Sequence, residues 1–210
     1  MAELADAAGA GDSARVAALA AAGVSVDAHG DKQVTPLQWA LLEKSSRGLE
    51  ALLAAGANPS EPGIDGDTVV HLAAMADDAK YLDLLLSKGA DADARNGTTQ
   101  ATPLFAALRG AREPQFRALI KAGADVDAAD RTGNRPLHYA AKTNQPGRVL
   151  DLLEAGADPR ATTNNTGATF QRFLFKTSDA VLSGEARRDR DRVRDWLRAH
   201  DIAIEDAGAQ

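Results

Sequence analysis

The side chains of this 210-residue chain best suited to chemistry are four histidines and several closely spaced carboxylates. A histidine can act as a general base or bind a metal. His71 and His138 fall in two similar segments, Val70-His71-Leu72-Ala73-Ala74 and Leu137-His138-Tyr139-Ala140-Ala141. If like segments stack as helical layers of roughly 10 Å, with one layer between these two, the histidines stand roughly 20 Å apart. They cannot share an ion. His29 and His200 have no partner pattern. Asp91/Asp93 and Asp125/Asp127 look like the start of a calcium ladder, but calcium loops need a denser oxygen set with a closing Glu. These aspartates read instead as turn residues bonding their own backbone.

The absence of Cys excludes disulfides, thiolate catalysis and Cys-ligated zinc. No Gly-x-Ser-x-Gly, phosphate loop or dinucleotide glycine pattern stands in a suitable context. No metal or cofactor is expected. No nucleophile, base and electrostatic stabiliser converge, so the chain reads as a non-enzyme. The rival reading is a catalytic site hidden in an irregular segment, Thr177–Arg188.

The elements that position these residues follow from composition and period. Thirty Asp+Glu against 24 Lys+Arg give a net charge of −6, which excludes nucleic-acid binding by bulk electrostatics. The Arg-rich run Arg187–Asp195 interleaves its signs around an apolar stripe of Val193, Trp196 and Leu197, and reads as a solvated amphipathic helix. No stretch approaches the roughly 18 apolar residues of a membrane span. Alanine occurs 45 times and aromatics make up 4%. That favours many thin helical layers over one thick core.

A repeat is present. Glycines close apolar helical runs at Gly23, Gly56, Gly89, Gly123 and Gly156, in steps of 33, 33, 34 and 33. Thr35-Pro36-Leu37, Thr68-Val69-Val70-His71, Thr102-Pro103-Leu104 and Arg135-Pro136-Leu137-His138 keep the same period, and Thr169-Phe170-Gln171 is a weaker copy. From each of the first four landmarks an apolar anchor follows 14 residues on (Leu49, Leu82, Phe116, Val149), with apolar pairs three and four residues beyond it. That spacing is one helix face. Each unit therefore reads as a short helix, a turn, a longer helix and a Gly-ended loop. Thr caps the short helix, Pro opens it and Gly stops the long one. Arg135, in place of Thr, predicts a poorer cap.

The segments Thr68–Ala74, Arg135–Ala141, Leu84–Asp91 and Ala122–Ala128 resemble the ankyrin repeat. The resemblance implies an all-α ankyrin-repeat solenoid of about six helix-turn-helix units in a single domain, 1–210. The units are an N-terminal cap at 1–29, then 30–62, 63–96, 97–129 and 130–163. The last, 164–210, is divergent and carries an insertion at 177–188. It also implies that His71 and His138 bond neighbouring hairpin backbone. Trp39 sits where the family places a buried Leu, and Phe170, Phe173 and Phe175 read as core, with an apolar interface patch at the end of the array as the alternative. Val16–Val24 has the look of an export segment but keeps the register of a second helix. The address is periplasmic if a leader was trimmed upstream and cytoplasmic otherwise.

The same resemblance puts a binding face on the hairpin tips and short helices: Asp31, Lys32, Val34, Leu42, Glu43, Ile64, Asp65, Asp67, Met75, Arg109, Arg131, Asn134, Lys142 and Lys176. Acids prevail in the earlier units and bases in the later ones. The expected function is a protein–protein interaction module, free as a monomer, with a protein partner on this concave face. The chain is similar to small bacterial ankyrin proteins that serve as immunity proteins against effectors, including phospholipases of type VI secretion. The alternative is a generic scaffold, or a secreted effector binding a host or regulatory protein.

Overall fold

The computed structural model describes residues 2–205. Among them the chain is all-α, with twelve α-helices, three short 3-10 turns and no strand. It divides into two compact lobes, the first ending at Ala124 and the second beginning at Asp125.

The first lobe is four helix pairs: α1 (Ala2–Gly9) with α2 (Ser13–Ala21), α3 (Pro36–Leu42) with α4 (Ser46–Ala54), α5 (Val69–Met75) with α6 (Lys80–Ser87), and α7 (Pro103–Arg109) with α8 (Glu113–Lys121). The short helices pack in succession, α1 on α3, α3 on α5 and α5 on α7, while α2 packs on α4 and α6 on α8. Leu4, Leu37, Leu49, Leu82, Leu104 and Phe116 are buried between the layers. The second lobe holds α9 (Pro136–Lys142), α10 (Pro146–Glu154), α11 (Phe170–Leu174) and α12 (Gly184–Ala199). Here α9 packs on α10 and α11, and α10 packs on α12.

Hairpin tips precede the short helices and close with a backbone bond: Gly30 to Val34 (2.8 Å), Gly63 to Asp67 (2.9 Å), Asn96 to Ala101 (2.9 Å), Asp130 to Asn134 (2.8 Å) and Thr163 to Ala168 (3.0 Å). The expected Thr cap forms at Thr35, whose hydroxyl accepts from the Gln38 N–H at 3.2 Å. At Thr68 the hydroxyl turns instead to His71 Nδ1, 2.9 Å away. The Thr102 hydroxyl is buried without a partner, and the Phe105 N–H that would meet it donates to the Thr102 carbonyl at 3.0 Å. Arg135 offers the helix no acceptor, and its guanidinium pairs with Asp127 at 3.1 Å.

Two glycines are needed for different reasons. Gly89 ends α6 at φ +82°, with open space where a side chain would stand. Gly48 has an ordinary helical backbone, but a Cβ there would strike the Ala8 carbonyl oxygen, where α1 and α4 meet.

The insertion expected at 177–188 divides in two. Residues 184–188 extend α12, and only 177–183, with a 3-10 turn at Asp179–Val181, is irregular. It is pinned by Arg190, whose side chain is fully buried. Arg190 Nη1 donates to the Thr177 carbonyl (2.6 Å) and to Asp179 (2.8 Å), and Nη2 reaches Asn144 at 3.4 Å. Arg194 adds a second ion pair to Asp179 at 3.4 Å. Phe170 and Phe175 are buried beneath this arrangement, and Phe173 is half-buried.

Gly89→Ala is expected to cost about 1–2 kcal/mol from backbone strain alone. Gly48→Ala is expected to cost more, about 1–3 kcal/mol from overpacking plus displacement of α1. Urea unfolding of the two variants checks the order. Asp179→Ala leaves the Arg190 guanidinium buried without its anion, so it should destabilise the second lobe more than Arg190→Met, which removes the charge and keeps the stem. Hydrogen exchange across 177–183 reads the difference.

Candidate binding surface

The short helices assign separate jobs to their side chains. The third residue after the cap faces inward and bonds the following segment. Gln38 donates from Nε2 to the Asp67 carbonyl (2.7 Å), while its Oε1 accepts from the Thr35 and Ile64 N–H groups (3.2 and 3.1 Å). His71 does the same work with a ring: Nε2 meets the Ala101 carbonyl at 2.9 Å and Nδ1 faces Thr68. His138 Nε2 meets the Ala161 carbonyl at 3.1 Å, and its Nδ1 accepts from the Arg135 N–H at 3.2 Å. Gln171 closes the series, one place nearer its cap, with Nε2 on the Ala203 carbonyl (3.0 Å). His29 makes a related bond to the Pro62 carbonyl at 2.9 Å.

In His71 and His138, where Nδ1 accepts from a backbone N–H and Nε2 faces a carbonyl, this pattern fits the neutral tautomer with its proton on Nε2. Burial lowers the pKa of His71; the Ala101 carbonyl and Asp67 oppose that shift and Arg109 aids it. Burial likewise lowers the pKa of His138, against the Ala161 and Ala168 carbonyls and with the help of Lys142 and Arg135. Both rings have two committed nitrogens and are spent on structure. Among the described residues no group of three His, Asp or Glu side chains is placed to hold a metal ion. No helix is long and apolar enough to cross a membrane.

The fourth and seventh residues after the cap are the more exposed ones, except Ala106, which is buried. At the fourth stand Trp39, Leu72, Ala106, Tyr139 and Phe173; at the seventh stand Leu42, Met75, Arg109, Lys142 and Lys176. Trp39 corrects the sequence expectation: it is 36% exposed and lies on the open face of α3, not in the core. The core Leu of that helix is Leu37, two residues earlier. At the same position Leu72, Tyr139 and Phe173 are half-buried and Ala106 is buried.

In the first lobe Lys32, Leu42, Glu43, Asp65 and Arg109 are exposed, and Val34, Ile64 and Met75 are half-buried. Asp31 opens a 3-10 turn at the hairpin tip, and its side chain lies outside the described part. Asp67 is a correction. It is buried, accepts from Asn96 Nδ2 at 2.6 Å and pairs with Arg109 at 3.5 Å. One acid and one base thus leave the charge pattern read from sequence. In the second lobe Arg131, Lys142 and Lys176 are exposed. Lys142 bonds Asn134 and lies 4.6 Å over the Phe173 ring. Asn134 is half-buried and also donates to Thr132 at 2.5 Å.

Sequence reasoning missed a hollow of about 560 Å³ between the ends of α3 and α5 and the start of α6, lined by Leu41, Leu42, Leu72, Met75, Ala76 and Tyr81. A second, of about 490 Å³, lies beside Trp39, α1 and the 29–34 hairpin. Hollows depend on which neighbouring side chains are short, and a linear period does not report that.

Helix pairs repeated at 33–34 residues, stapled through hairpin carbonyls and presenting a variable outer face, define a repeat-built interaction scaffold. A family model described as ankyrin repeats (three copies) matches residues 38–130 and 70–163. The chain belongs to the ankyrin repeat family. It is 47% identical over 143 residues to Protein PhlB of Serratia liquefaciens, covering 68% of this chain and 63% of that protein. It is 31% identical over 154 residues to ankyrin repeat and SOCS box protein 6 of Homo sapiens, covering 68% and 37%. The chain therefore spans under two thirds of either relative. The solved ankyrin repeat domain of Bcl-3, described as a unique member of the IkappaB protein family, superposes with a TM-score of 0.79 at 25% identity, over 99% of this chain and 90% of that one. The fold is typically a non-catalytic protein-interaction scaffold.

The neutral histidines set a pH dependence. Their folded pKa values lie below the ordinary 6.5, so the unfolded chain takes up protons first. Stability from these two groups is complete above about pH 6.5 and declines as pH falls toward the folded values. Burial alone would raise the pKa of Asp179, but Arg190 and Arg194 hold it below the usual carboxylate value, so its contribution is lost only at still lower pH. Replacing both His71 and His138 by Gln, the residue that does this job at 38, should flatten the unfolding free energy between about pH 6.5 and pH 5. Urea titrations across that range check it.

Proposed function

We propose that this chain is an immunity protein that binds and neutralises a bacterial effector, with a type VI secretion phospholipase as the effector class, and that it is a monomer when free. The observation that carries the reading is the division of labour in the short helices. Every buried histidine is committed to backbone, while the outward positions hold large apolar and cationic side chains. Such a surface suits contact and offers no nucleophile. The 47% identity to a bacterial protein supports a bacterial setting. Neutralisation needs only tight occlusion of the effector's active site or its approach to a membrane.

The faces of the lobes differ in charge. In the second, Arg131, Lys142 and Lys176 are exposed, and in the first Glu43 and Asp65 stand beside apolar residues. A partner with complementary patches would be guided in encounter more than in final affinity. The second reading, a generic scaffold for a host or regulatory protein, uses the same face. The test is co-expression of this chain with a phospholipase effector, sought first among the products of the genes beside its own. The expected result is a one-to-one complex without lipase activity, weakened at least about tenfold by Lys142→Glu with Lys176→Glu. Full lipase activity in the presence of saturating chain rejects the immunity reading and leaves the scaffold.

A further inference from the structure

The first lobe carries an apolar strip that its own fold does not cover. Trp39 is 36% and Leu42 53% exposed on α3, and Leu72 and Met75 continue the strip onto α5 as half-buried residues. Beside it opens the hollow of about 560 Å³. Most polar groups around that hollow are already satisfied. The Tyr81 hydroxyl donates to the Lys44 carbonyl (2.9 Å), Lys80 pairs with Asp78 (2.9 Å), and Arg112 pairs with Asp77 (2.7 Å) and donates to the Met75 carbonyl (3.0 Å). Among the described residues only the Lys44 ammonium stands unpaired on the rim, and the walls between are Leu, Met and Ala, so the hollow suits an apolar side chain. On the α7 side Arg109 closes the strip, with Nη2 3.0 Å from the Met75 sulfur.

The other border is different. On the α1 side the Glu43 stem runs past Gly9, where a Cβ would come within 3.1 Å of Glu43 and 3.2 Å of the Trp39 indole nitrogen. The Glu43 and Asp6 carboxylates have no ion pair or hydrogen bond among the described residues. Asp6 lines the second hollow with Trp39. Two unpaired carboxylates beside an apolar strip favour a cation from outside, and Lys44, on the rim of the first hollow, sets the polarity.

We infer that this strip is the docking site for a segment of the partner protein in which a large apolar side chain stands next to a lysine or arginine. The apolar group enters the hollow between Leu42 and Met75. The basic group lies toward α1, on Glu43 and Asp6. This rests on the protein-binding reading above and specifies the segment that is bound.

The test pans a displayed library of short random peptides against the full chain. Enriched peptides should pair Leu, Met, Phe or Trp with Lys or Arg. Their binding should fall at least about tenfold in Leu42→Asp and in Met75→Asp, and weaken with salt. The Asp6→Lys, Glu43→Lys double variant should turn the preference toward acidic peptides. Leu42, Asp6 and Glu43 are exposed, so circular dichroism and melting temperature should match the parent. Leu42→Ser serves as a milder variant if Leu42→Asp does not fold. No enrichment, enrichment of acidic peptides, or binding indifferent to Leu42 and Met75 would overturn the assignment. If the phospholipase is still neutralised by Leu42→Asp, this site fails while the immunity reading stands. If the peptides bind as described but the lipase stays active, the reverse holds.

Discussion

A buried amide or imidazole, bonded to a carbonyl oxygen of the segment that follows, is the contact on which the stack depends. Apolar layers of Leu and Ala are much alike, so packing alone leaves the offset between neighbouring repeats weakly specified. A buried polar atom is less forgiving, since leaving it unpaired costs about 1–3 kcal/mol. Gln38 on Asp67, His71 on Ala101, His138 on Ala161 and Gln171 on Ala203 each accept one placement of the next segment. Gln and His serve alike because each offers a donor and an acceptor a few ångströms apart. The fourth repeat has Phe105 at this place, a ring with no hydrogen-bonding atom, and the chain divides into its two lobes within that repeat.

The same bonds explain why residues with catalytic potential are not available for catalysis. His71 and His138 are neutral because burial disfavours the imidazolium, and both of their nitrogens are engaged. Asp67, a hairpin residue, is drawn inward by Asn96 and Arg109. Arg190, in the most charged stretch of the chain, is buried to hold the 177–183 segment in place. Residue type suggested chemistry at the histidines, a binding face at Asp67 and a solvated helix at Arg190, and local bonding turned each to structure.

The repeat was legible because it is carried by backbone requirements that recur. Glycine follows the second helix of each of the first five units, Pro or Thr opens most of the short helices, and in four units an apolar anchor sits 14 residues after the cap. Which side chains stand exposed was legible in part. Leu42, Lys142 and Lys176 are exposed as expected, because the seventh helical residue points outward whatever its type. Trp39 and Asp67 were misplaced because type was allowed to outweigh position. A Trp reads as core and an Asp as surface, yet the fourth position looks outward, and the hairpin turns Asp67 toward Asn96. The Arg190 anchor had no sequence signal beyond an arginine among five others.

This separation of duties bears on how the protein could change its partner. Caps, staples and layer residues are tied to the 33-residue period and tolerate little. The fourth and seventh helical positions are less bound by the period: Phe173 leans on the His138 ring and Ala106 is buried, but Trp39, Leu42, Lys142 and Lys176 stand exposed. Their variation within one chain, from Leu42 and Met75 to Arg109, Lys142 and Lys176, is hard to explain by folding alone, since an exposed Leu gains nothing in a helix that a Lys would not supply. An apolar side chain kept 53% exposed between well-packed layers is a cost in solubility without return to the isolated chain. Its place in one strip with Trp39, Leu72 and Met75, and not its exposure alone, is what suits it to contact with another surface.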